Sequence, residues 1–577
     1  MLKNLLNRLR PVSAVPAAPA AAPVPDDVAG ADALIAEGNA LEDAGRPQEA
    51  ETLYRRAIAK APHHARAHLN LGIVLADRRD DDNAIAAYER VLAIEPGHPF
   101  GNYNYARLMV LRGDLGRAGP LVAEALRARP DFPQALELSH SILRNEGFAD
   151  AALALLRRIV ERDPTGWMHR SFELMALNFV DGVGADELFR RHVEFGRQIE
   201  QAVPARFDRH GERGDPARRL RVGYLSCDFQ THPVAFFLAP VLEHHDRAQV
   251  EVFCYSTTPK QDAMTERLRA AADHWRDVAS MSDEALADAI HADGIDVLVD
   301  LMGHAGMPRP GVFCQRPAPA QVAWLGYLNT TGLTRMDFRL SDARSDPPAL
   351  AQPVHTERLV LLPASQWCYP PAATQAIDPV PPFERNGHVT FGSFNAALKV
   401  TPAACRRWGQ AMLRVPGSRL VIGDITSESK RAAIRRDITS LGVADDRIEF
   451  IPRVPLDQYL GLYNRVDITF DTFPYGGGTT TFDSLWMGVP LVATVGATPV
   501  SRSAAGILCA LGLEDWVAPS VDGFVDVAVA RATDHAALRT LRRELRSRLQ
   551  ASPLTDLPRY TRDLEAAYRA MWLAKTA

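Results

Sequence analysis

Residues 33–62 read ALIAEGNALEDAGRPQEAETLYRRAIAKAP, and the pattern of this stretch returns three times further along the chain. A small residue lies in its first half, an alanine lies in its second half, and a proline closes it. Residues of the same kind recur after every 34 positions. They are Gly38, Gly72 and Ala106, then Ala50, Ala84, Ala118 and Ala152, then Pro62, Pro96, Pro130 and Pro164. A fixed step of this length indicates small units that stack on one another.

A 34-residue step with small residues in each helix and a closing proline is typical of tetratricopeptide repeats. In the first unit, Leu34 and Leu41 predict one helix, and Gly45 predicts the turn that follows it. Tyr54 then lies in the second helix. We predict four repeats over residues 31–166, the last of them degenerate. Such repeats form an α-solenoid, whose concave face usually holds an extended polypeptide.

Residues 1–30 are rich in alanine and proline and predict a flexible N-terminal segment. Its first ten residues, MLKNLLNRLR, form a short amphipathic stripe with two interpretations. It is either a frayed helix on a tether or a helix that docks on a partner or a membrane surface. We expect no secretory signal and no membrane span, because the chain has neither an uninterrupted apolar leader nor a run of about 18 apolar residues.

The overall composition restricts the partners and the cellular compartment. A chain of 577 residues is too long for one core and predicts several domains. Its net charge of −5 offers no basic surface for nucleic acid, so we expect no nucleic-acid partner. Six cysteines without C-x-x-C spacing indicate free thiols in a reducing compartment, which predicts a cytoplasmic protein. A homodimer is left open, since nothing in the repeats specifies one.

The remainder of the chain changes from helical repeats to an alternation of strands and helices. Residues 167–217 predict a helical connector. Apolar, β-branched runs at 219–226, 250–257 and 295–303 follow, separated by helical stretches at 262–275 and 282–294. This alternation is typical of a buried parallel sheet.

A proline-rich passage at 369–388 interrupts the alternation, which then restarts with HVTFGSF, SRLVIGD, RIEFIP, VDITFDTF and PLVATVG. We predict two Rossmann-like lobes, an N-terminal lobe over 218–380 on the acceptor side and a C-terminal lobe over 381–577. The fold class is therefore α plus α/β. Ligands of such lobes bind beyond the carboxyl ends of the strands, in the cleft between them.

The segment DTFPYGGGTTTFDSLWMGVP, residues 471–490, predicts an anion site. Gly476, Gly477 and Gly478 allow close backbone approach and positive φ. Thr479 and Thr480 follow, with a helix expected to begin near Phe482. Free N–H groups and the positive end of the dipole at a helix start attract phosphate. The alternative is an ordinary glycine-rich turn.

Other polar residues lie at predicted strand ends or in the loops beyond them. Lys399, in FGSFNAALKVTP with Asn395, can neutralise a diphosphate, unless it is a solvated surface lysine. Asp483 can cap the helix after the glycines or bind a ribose hydroxyl. In the N-terminal lobe, Asp228 and His232 follow the first strand, and His232 is either a general base or a structural cap. The remaining candidates for the cleft are Asp300, His304, Tyr327, Asn329 and Thr330.

Several catalytic patterns are missing from the sequence. The chain contains no G-x-S-x-G, no H-E-x-x-H and no C-x-x-C motif. Its single Asp-x-Asp spacing, Asp80–Asp82, lies in a repeat turn. We therefore expect no metal cofactor, and we expect Lys399, the N–H groups of the glycine loop and a helix dipole to meet the charge of the leaving group.

The repeats and the segments RVGYLSCDFQTHPVAFF, RPAPAQVAWLGYLNTTG, FGSFNAALKVTP and DTFPYGGGTTTFDSLWMGVP resemble the nucleocytoplasmic protein O-glycosyltransferases. This family contains the O-GlcNAc transferases and the plant SPINDLY proteins, and the resemblance extends over about residues 31–577. It implies a metal-independent, inverting enzyme of the two-lobed GT-B fold. Such enzymes transfer a sugar from a nucleotide diphosphate to serine or threonine hydroxyls of proteins.

The resemblance also implies roles for single residues. His232 matches an active-site histidine, and Lys399 matches the lysine that contacts the diphosphate. Thr479 and Thr480 match threonines at the phosphates, and Asp483 matches the acid that binds ribose. The C-terminal segment TRDLEAAYRAMW resembles a helix that crosses back over the lobes.

The departures from animal O-GlcNAc transferases concern the donor. Tyr459 and Gly478 occupy positions where those enzymes have histidines, Leu456 replaces a lysine and Ala396 a glutamine. Tyr459 can still stack on a base. The motifs are closer to SPINDLY, whose members use GDP-fucose. We expect UDP-GlcNAc as the donor, with GDP-fucose as the alternative. Two other functions also stay open: a non-catalytic scaffold, and a transferase for small-molecule or lipid-linked acceptors.

Overall fold

A computed structural model describes residues 27–207, 215–258, 260–370 and 375–576. The amphipathic stripe predicted at the N-terminus lies outside these residues. The chain forms two compact units: the first runs to Arg162, and the second comprises the rest from Asp163 apart from Ser427–Ser429, which group with the first. Within the described ranges, no helix is long and apolar enough to cross a membrane.

The first unit is built of helices that pair in chain order. The pairs are α1 (Val28–Asp43) with α2 (Pro47–Lys60), α3 (Ala65–Asp77) with α4 (Asp81–Ile94), α5 (Pro99–Leu111) with α6 (Leu115–Ala128), and α7 (Pro133–Glu146) with α8 (Ala149–Arg162). The glycine at the first turn, Gly45, has the positive φ of 73° that favours glycine. The tetratricopeptide-type α-solenoid predicted from the sequence is confirmed.

The small residues of the period make room for the tyrosines of the paired helices. A Cβ atom at Gly38 would lie 2.5 Å from Cε1 of Tyr54, and one at Gly72 would lie 2.6 Å from Cε1 of Tyr88. Both tyrosine rings are fully buried. The glycine therefore recurs because each helix pair closes over an aromatic ring.

The second unit opens with two helices and a seven-stranded sheet. The elements are α9 (Trp167–Leu177), α10 (Ala185–Ala202), β1 (Leu220–Ser226), α11 (Pro233–His244), β2 (Val250–Ser256), α12 (Ala263–Ala271), β3 (His274–Asp277), α13 (Asp283–Ala292), β4 (Val297–Asp300), α14 (Pro310–Cys314), β5 (Ala320–Ala323), β6 (Phe338–Asp342), α15 (Pro348–Ala351) and β7 (Arg358–Leu362). The strands are all parallel, in the order β3-β2-β1-β4-β5-β6-β7.

A second parallel sheet follows, with strand order β10-β9-β8-β11-β12-β13. Its elements are α16 (Pro382–Asn386), β8 (Thr390–Ser393), α17 (Pro402–Arg414), β9 (Arg419–Gly423), α18 (Glu428–Thr439), β10 (Ile448–Ile451), α19 (Leu456–Tyr459), β11 (Ile468–Phe470), α20 (Thr479–Trp486), β12 (Leu491–Thr494), α21 (Ser503–Ala510), β13 (Val517–Ala518), α22 (Phe524–Thr533), α23 (His535–Gln550) and α24 (Leu557–Thr576). Two parallel sheets after a helical array confirm the predicted fold class.

The structure corrects one boundary in the first sheet and adds strands to both. The helix expected over 262–275 ends at Ala271, and His274 begins the edge strand β3. Strands β5, β6, β7 and β13 were not predicted. Strands β5 and β13 have four and two residues, and most residues of β7 are partly exposed. Their hydrophobic patterns are therefore too weak to distinguish from a loop.

The last helix, α24, lies against the first sheet although it follows the second in sequence. Its Tyr568 hydroxyl lies 3.2 Å from the hydroxyl of Tyr224 on β1. Glu565 accepts a hydrogen bond from His245 at 2.8 Å, and the ammonium of Lys575 pairs with Asp337 at 2.7 Å. These contacts tie the end of the chain to the first lobe.

Candidate active site

The candidate active site begins where two neighbouring strands of the second sheet end. Strands β8 and β11 pair in parallel, so the loops after them meet at one edge. Lys399 follows β8, and its Nζ donates a hydrogen bond to the carbonyl of Gly476 at 2.8 Å. The same nitrogen lies 4.2 Å from the ring centroid of Tyr475. The fold thus brings Lys399 to the glycine loop, 77 residues further along.

Burial changes the ionisation of Lys399 and of its nearest carboxylate. Loss of hydration lowers the pKa of Lys399 to about 8, although Asp471 favours the charged form. Burial likewise raises the pKa of Asp471 to about 6. Asp471 accepts a hydrogen bond from the N–H of Gly477 at 2.7 Å, which holds the loop beneath the lysine. Lys399 is therefore not the solvated surface lysine of the alternative interpretation.

The glycine loop does not use positive φ, contrary to expectation. None of the three glycines is among the residues with positive φ, and Gly478 has φ −117°. Close approach explains two of the three instead. A Cβ at Gly476 would lie 2.9 Å from Oδ2 of Asp471, and one at Gly477 would lie 2.7 Å from the hydroxyls of Thr480 and Thr481.

Helix α20 begins at Thr479, three residues before the predicted start, with Gly478 as its N-cap. The cap supplies no side chain, and the N–H groups of Thr481 and Phe482 bond to the carbonyl of Gly478. Within the described residues, no acceptor is found for the N–H groups of Gly478, Thr479 and Thr480. Three free donors and the positive helix end suit an anion.

Side chains fix the geometry of this helix start. The hydroxyl of Thr480 donates to Oδ1 of Asn395 at 3.0 Å, and Asn395 itself is buried. The carbonyl of Thr480 accepts from the hydroxyl of Tyr463 at 3.3 Å. Tyr459 is half-buried, and its hydroxyl lies 2.8 Å from that of Tyr463. The predicted donor-binding residues of this lobe therefore converge on one place.

Asp483 is buried in the second turn of α20, so it does not cap the helix as one interpretation held. The hydroxyl of Tyr369 donates to its Oδ1 at 2.8 Å. Burial raises the pKa of Asp483 to about 7, while hydrogen bonds from Tyr369 and Tyr459 act in the opposite direction. This carboxyl group therefore changes charge near neutral pH.

His232 lies at the start of α11 in the first lobe, where the structure confirms that it is a cap. Its Nδ1 accepts from the N–H of Val234 at 3.3 Å and lies 3.5 Å from Oδ2 of Asp228. Burial lowers the pKa of His232, and Asp228 opposes the change. The ring is therefore neutral near pH 7. A tautomer with hydrogen on Nδ1 would give up the bond from Val234, pair with Asp228 and leave Nε2 as a base.

The residues expected to line the cleft in the first lobe are buried instead. Asp300, His304, Tyr327, Asn329 and Thr330 all have less than a tenth of their surface exposed. Burial raises the pKa of Asp300 to about 6, and its Oδ1 accepts from the N–H groups of Met302 and Gly303.

The connector helices supply most of the partners of these residues. His304 bonds to Ser171 of α9, and Tyr327 bonds to Asn178 after α9 and to His192 of α10. Asn329 donates to Asn178, and Thr330 donates to Glu357 after the loop. The structure gives these side chains a packing role, because the connector covers a surface that was expected to face the cleft.

Four residues that contact the site were not predicted from the sequence. They are Asp471 and Tyr475 beside Lys399, Tyr369 on Asp483, and Phe179, which stacks on Tyr475. Asp471 and Tyr475 come shortly before the glycines in sequence, and this position alone could have marked them as candidate site residues. Phe179 and Tyr369 lie in a connector and in an interlobe passage, where no local pattern marks them. Among the described residues, no group of three or more histidine, cysteine, aspartate or glutamate side chains could hold a metal ion.

Comparison with known proteins shows the family of this chain. The model of Glycosyl transferase family 41 matches residues 197–368 and 384–564, which include both strand-end loops and the glycine loop. The chain belongs to glycosyl transferase family 41. A tetratricopeptide repeat model also matches residues 35–99.

The matched relatives of this family 41 protein are longer than the chain itself. It is 37% identical over 407 residues to the probable UDP-N-acetylglucosamine–peptide N-acetylglucosaminyltransferase SPINDLY of Solanum lycopersicum, covering 69% of this chain and 43% of that protein. It is 31% identical over 366 residues to the corresponding SEC protein of Arabidopsis thaliana, covering 62% and 37%. The chain thus spans less than half the length of these relatives.

A solved structure resembles the family 41 protein over nearly its whole length. A mutant of the Thermobaculum terrenum O-GlcNAc transferase is 31% identical, with a TM-score of 0.68. The similarity covers 95% of this chain and 98% of that one. This agreement extends the likeness from the two lobes to the repeats.

Proposed function

We propose that this protein is a protein O-glycosyltransferase that transfers GlcNAc from UDP-GlcNAc to serine or threonine hydroxyls. The observation that carries the proposal is the pairing of Lys399 with the start of α20. The half-buried ammonium of Lys399 and three free N–H groups lie at one edge of a parallel sheet. Fixed positive charge and aligned donors are what a departing diphosphate requires.

The diphosphate, the ribose and the base of the donor each have a partner among the described residues. The diphosphate lies on Lys399 and the N–H groups of residues 478–480, with the hydroxyls of Thr479 and Thr480 beside it. Asp483 binds the ribose through the carboxylate oxygen that Tyr369 leaves free. Tyr459 offers its ring to the base. In this arrangement the chain's own positive groups meet the charge on the diphosphate, and no metal is assigned a role.

The transfer itself is an in-line substitution. The oxygen of the acceptor hydroxyl forms a bond to the anomeric carbon, and the bond between that carbon and the diphosphate oxygen breaks, with inversion. The hydroxyl proton passes to His232, to Asp228 or to the phosphate. His232 can accept it at Nε2 only in the tautomer that places hydrogen on Nδ1 toward Asp228, 3.5 Å away.

The repeats and the cysteines support the remainder of the proposal. Tetratricopeptide solenoids hold extended polypeptides, so we assign the protein acceptor to the first unit. All six cysteines are free, and five of them are buried, which suits a reducing compartment such as the cytoplasm.

GDP-fucose is the alternative donor. Tyr459 and Gly478 stand where the animal O-GlcNAc transferases have histidines, one stacking on the base and one before the two threonines at the phosphates. The names of the SPINDLY and SEC relatives favour UDP-GlcNAc. The two donors differ in both base and sugar, so a direct comparison separates them.

The test is a thermal-shift and hydrolysis panel with UDP-GlcNAc, UDP-glucose and GDP-fucose. We expect UDP-GlcNAc to stabilise the protein and to be hydrolysed slowly. Lys399→Ala should abolish transfer while the protein stays folded, and Lys575→Ala, at an ion pair on α24, should leave it unchanged. A response to GDP-fucose alone would establish the alternative donor. A fully active Lys399→Ala protein, or silence with every donor, would refute the proposal.

A further inference from the structure

One aromatic contact joins the connector to the candidate active site. Phe179, in the turn after α9, stacks on Tyr475 with ring centroids 4.8 Å apart and an angle of 11° between the rings. Tyr475 is also the residue whose ring lies 4.2 Å from Nζ of Lys399. Phe179 and Tyr475 are both buried. Tyr475 therefore contacts the connector and the lysine at once.

The turn that carries Phe179 is held firmly by the first lobe. The neighbouring Asn178 donates to the hydroxyl of Tyr327 at 3.0 Å and accepts from Asn329 at 3.0 Å. The hydroxyl of Tyr327 also bonds to His192 of α10 at 2.6 Å. A network with several fixed partners restricts movement of the turn. Phe179 is thus a rigid support, whereas Tyr475 belongs to a loop of the second lobe.

We propose that Phe179 is a positioning residue that holds the ring of Tyr475 in place and thereby fixes the ammonium of Lys399 at the donor site. This inference rests on the proposed function, in which Lys399 meets the diphosphate. An aromatic face attracts a cation most strongly when water is excluded. Without the Phe179 ring, a cavity opens beside Tyr475, the loop gains freedom and water reaches the lysine.

The charged groups that act on Lys399 and on the ring of Tyr475 come from both lobes. Asp471, at the end of β11, is the carboxylate that favours its charge, and Tyr475 provides the ring. Arg339 of β6 acts on Tyr475 from the first lobe. Phe179 carries no charge. Its truncation therefore alters Lys399 through hydration and position, and not by removing a neighbouring charge.

The titration of Lys399 can be measured directly, because the chain has only six lysines. They are Lys3, Lys60, Lys260, Lys399, Lys430 and Lys575. Reductive ¹³C-methylation gives each lysine its own NMR signal, and a Lys399→Arg variant assigns the one of interest. We expect Phe179→Ala to raise the midpoint of Lys399 from about 8 by roughly one pH unit, toward the ordinary lysine value. Transfer kcat/KM should fall about tenfold, mainly through kcat.

Phe253→Ala is the matched control. Phe253 and Phe179 are both 6% exposed, and Phe253 on β2 stacks on His274 of the edge strand β3. It should lower the melting temperature without moving the Lys399 midpoint. If Phe179→Ala does not fold, Phe179→Leu replaces it, with the same direction and a smaller shift.

Two results separate this inference from the proposed function. An unchanged midpoint and kcat in a folded Phe179 variant would show that the ring only packs, and would overturn the positioning role. A wild-type protein that binds and hydrolyses no nucleotide sugar would refute the proposed function, while the NMR titration would still show whether Phe179 shields Lys399.

Discussion

The hydroxyl of Tyr369 allows the candidate donor site to be tested by removing a single atom. It donates to Oδ1 of Asp483 at 2.8 Å, while its ring stacks on Phe482 with centroids 5.0 Å apart. Tyr369→Phe keeps the stacked ring and removes only the donor. Because that donor favours the ionised carboxylate, its loss raises the pKa of Asp483 above its value of about 7.

The size of the effect follows from the energy of the lost bond. A hydrogen bond to a charged group contributes about 1.5 kcal/mol, which corresponds to roughly one pKa unit. The carboxylate of Asp483 is then ionised in about 10% of molecules at pH 7, compared with about 50% before the change. If the ribose binds to the ionised form, kcat/KM at pH 7 falls about fivefold in the variant.

The assay is the pH dependence of kcat/KM between pH 5.5 and 9.5. In the wild-type protein we expect activity to fall below about pH 7, as Asp483 gains a proton, and above about pH 8, as Lys399 loses one. Tyr369→Phe should move the acidic limb upward and leave the alkaline limb in place. Tyr560→Phe, which removes a buried hydroxyl bonded to the carbonyl of Gln366, is the control and should move neither limb. An acidic limb that is identical in wild type and Tyr369→Phe would contradict the role given to the ionised Asp483.

Three further substitutions test the loop, the interlobe contact and the repeats. Gly477→Ala places a Cβ atom 2.7 Å from the hydroxyls of two threonines. It should weaken UDP binding about tenfold, measured by calorimetry. Gly461→Ala, whose Cβ would make only an ordinary van der Waals contact, should not weaken binding. Asp346→Asn leaves the buried Arg339 and Arg502 without their shared carboxylate and should lower the free energy of unfolding by about 3–5 kcal/mol. Asp522 forms an exposed ion pair with Arg407 and provides the control. Asp522→Asn should change the free energy of unfolding by less than about 0.5 kcal/mol, with both variants measured by denaturant titration. The methyl group of Gly38→Ala would collide with Tyr54. This variant should destabilise the first unit by about 1–3 kcal/mol without changing donor hydrolysis. Gly119→Ala is the control and should not destabilise the first unit, because a Cβ atom there has open space around it.

The predictions that succeeded depend on local periodicity. The 34-residue step and the alternation of apolar runs with helices both repeat many times, so each copy supports the others. Lys399 and the glycine loop could be chosen because parallel strands bring the residues after them to one edge. The helix start at Thr479 and the short edge strands were missed, because edge strands of two to five residues carry too little pattern.

The amino-acid sequence was sufficient to predict the class of fold, the family resemblance and the strand-end residues of the second lobe. Which polar residues are accessible and which are covered depends on the tertiary packing. Tyr327 and Asn329 have the composition of a cleft loop, yet the helices α9 and α10 bury them. Phe179 has no signal of its own, yet it stacks beside Lys399. The reason is physical: strand order brings residues together by a repeating rule, whereas the packing of a connector depends on contacts between segments more than a hundred residues apart.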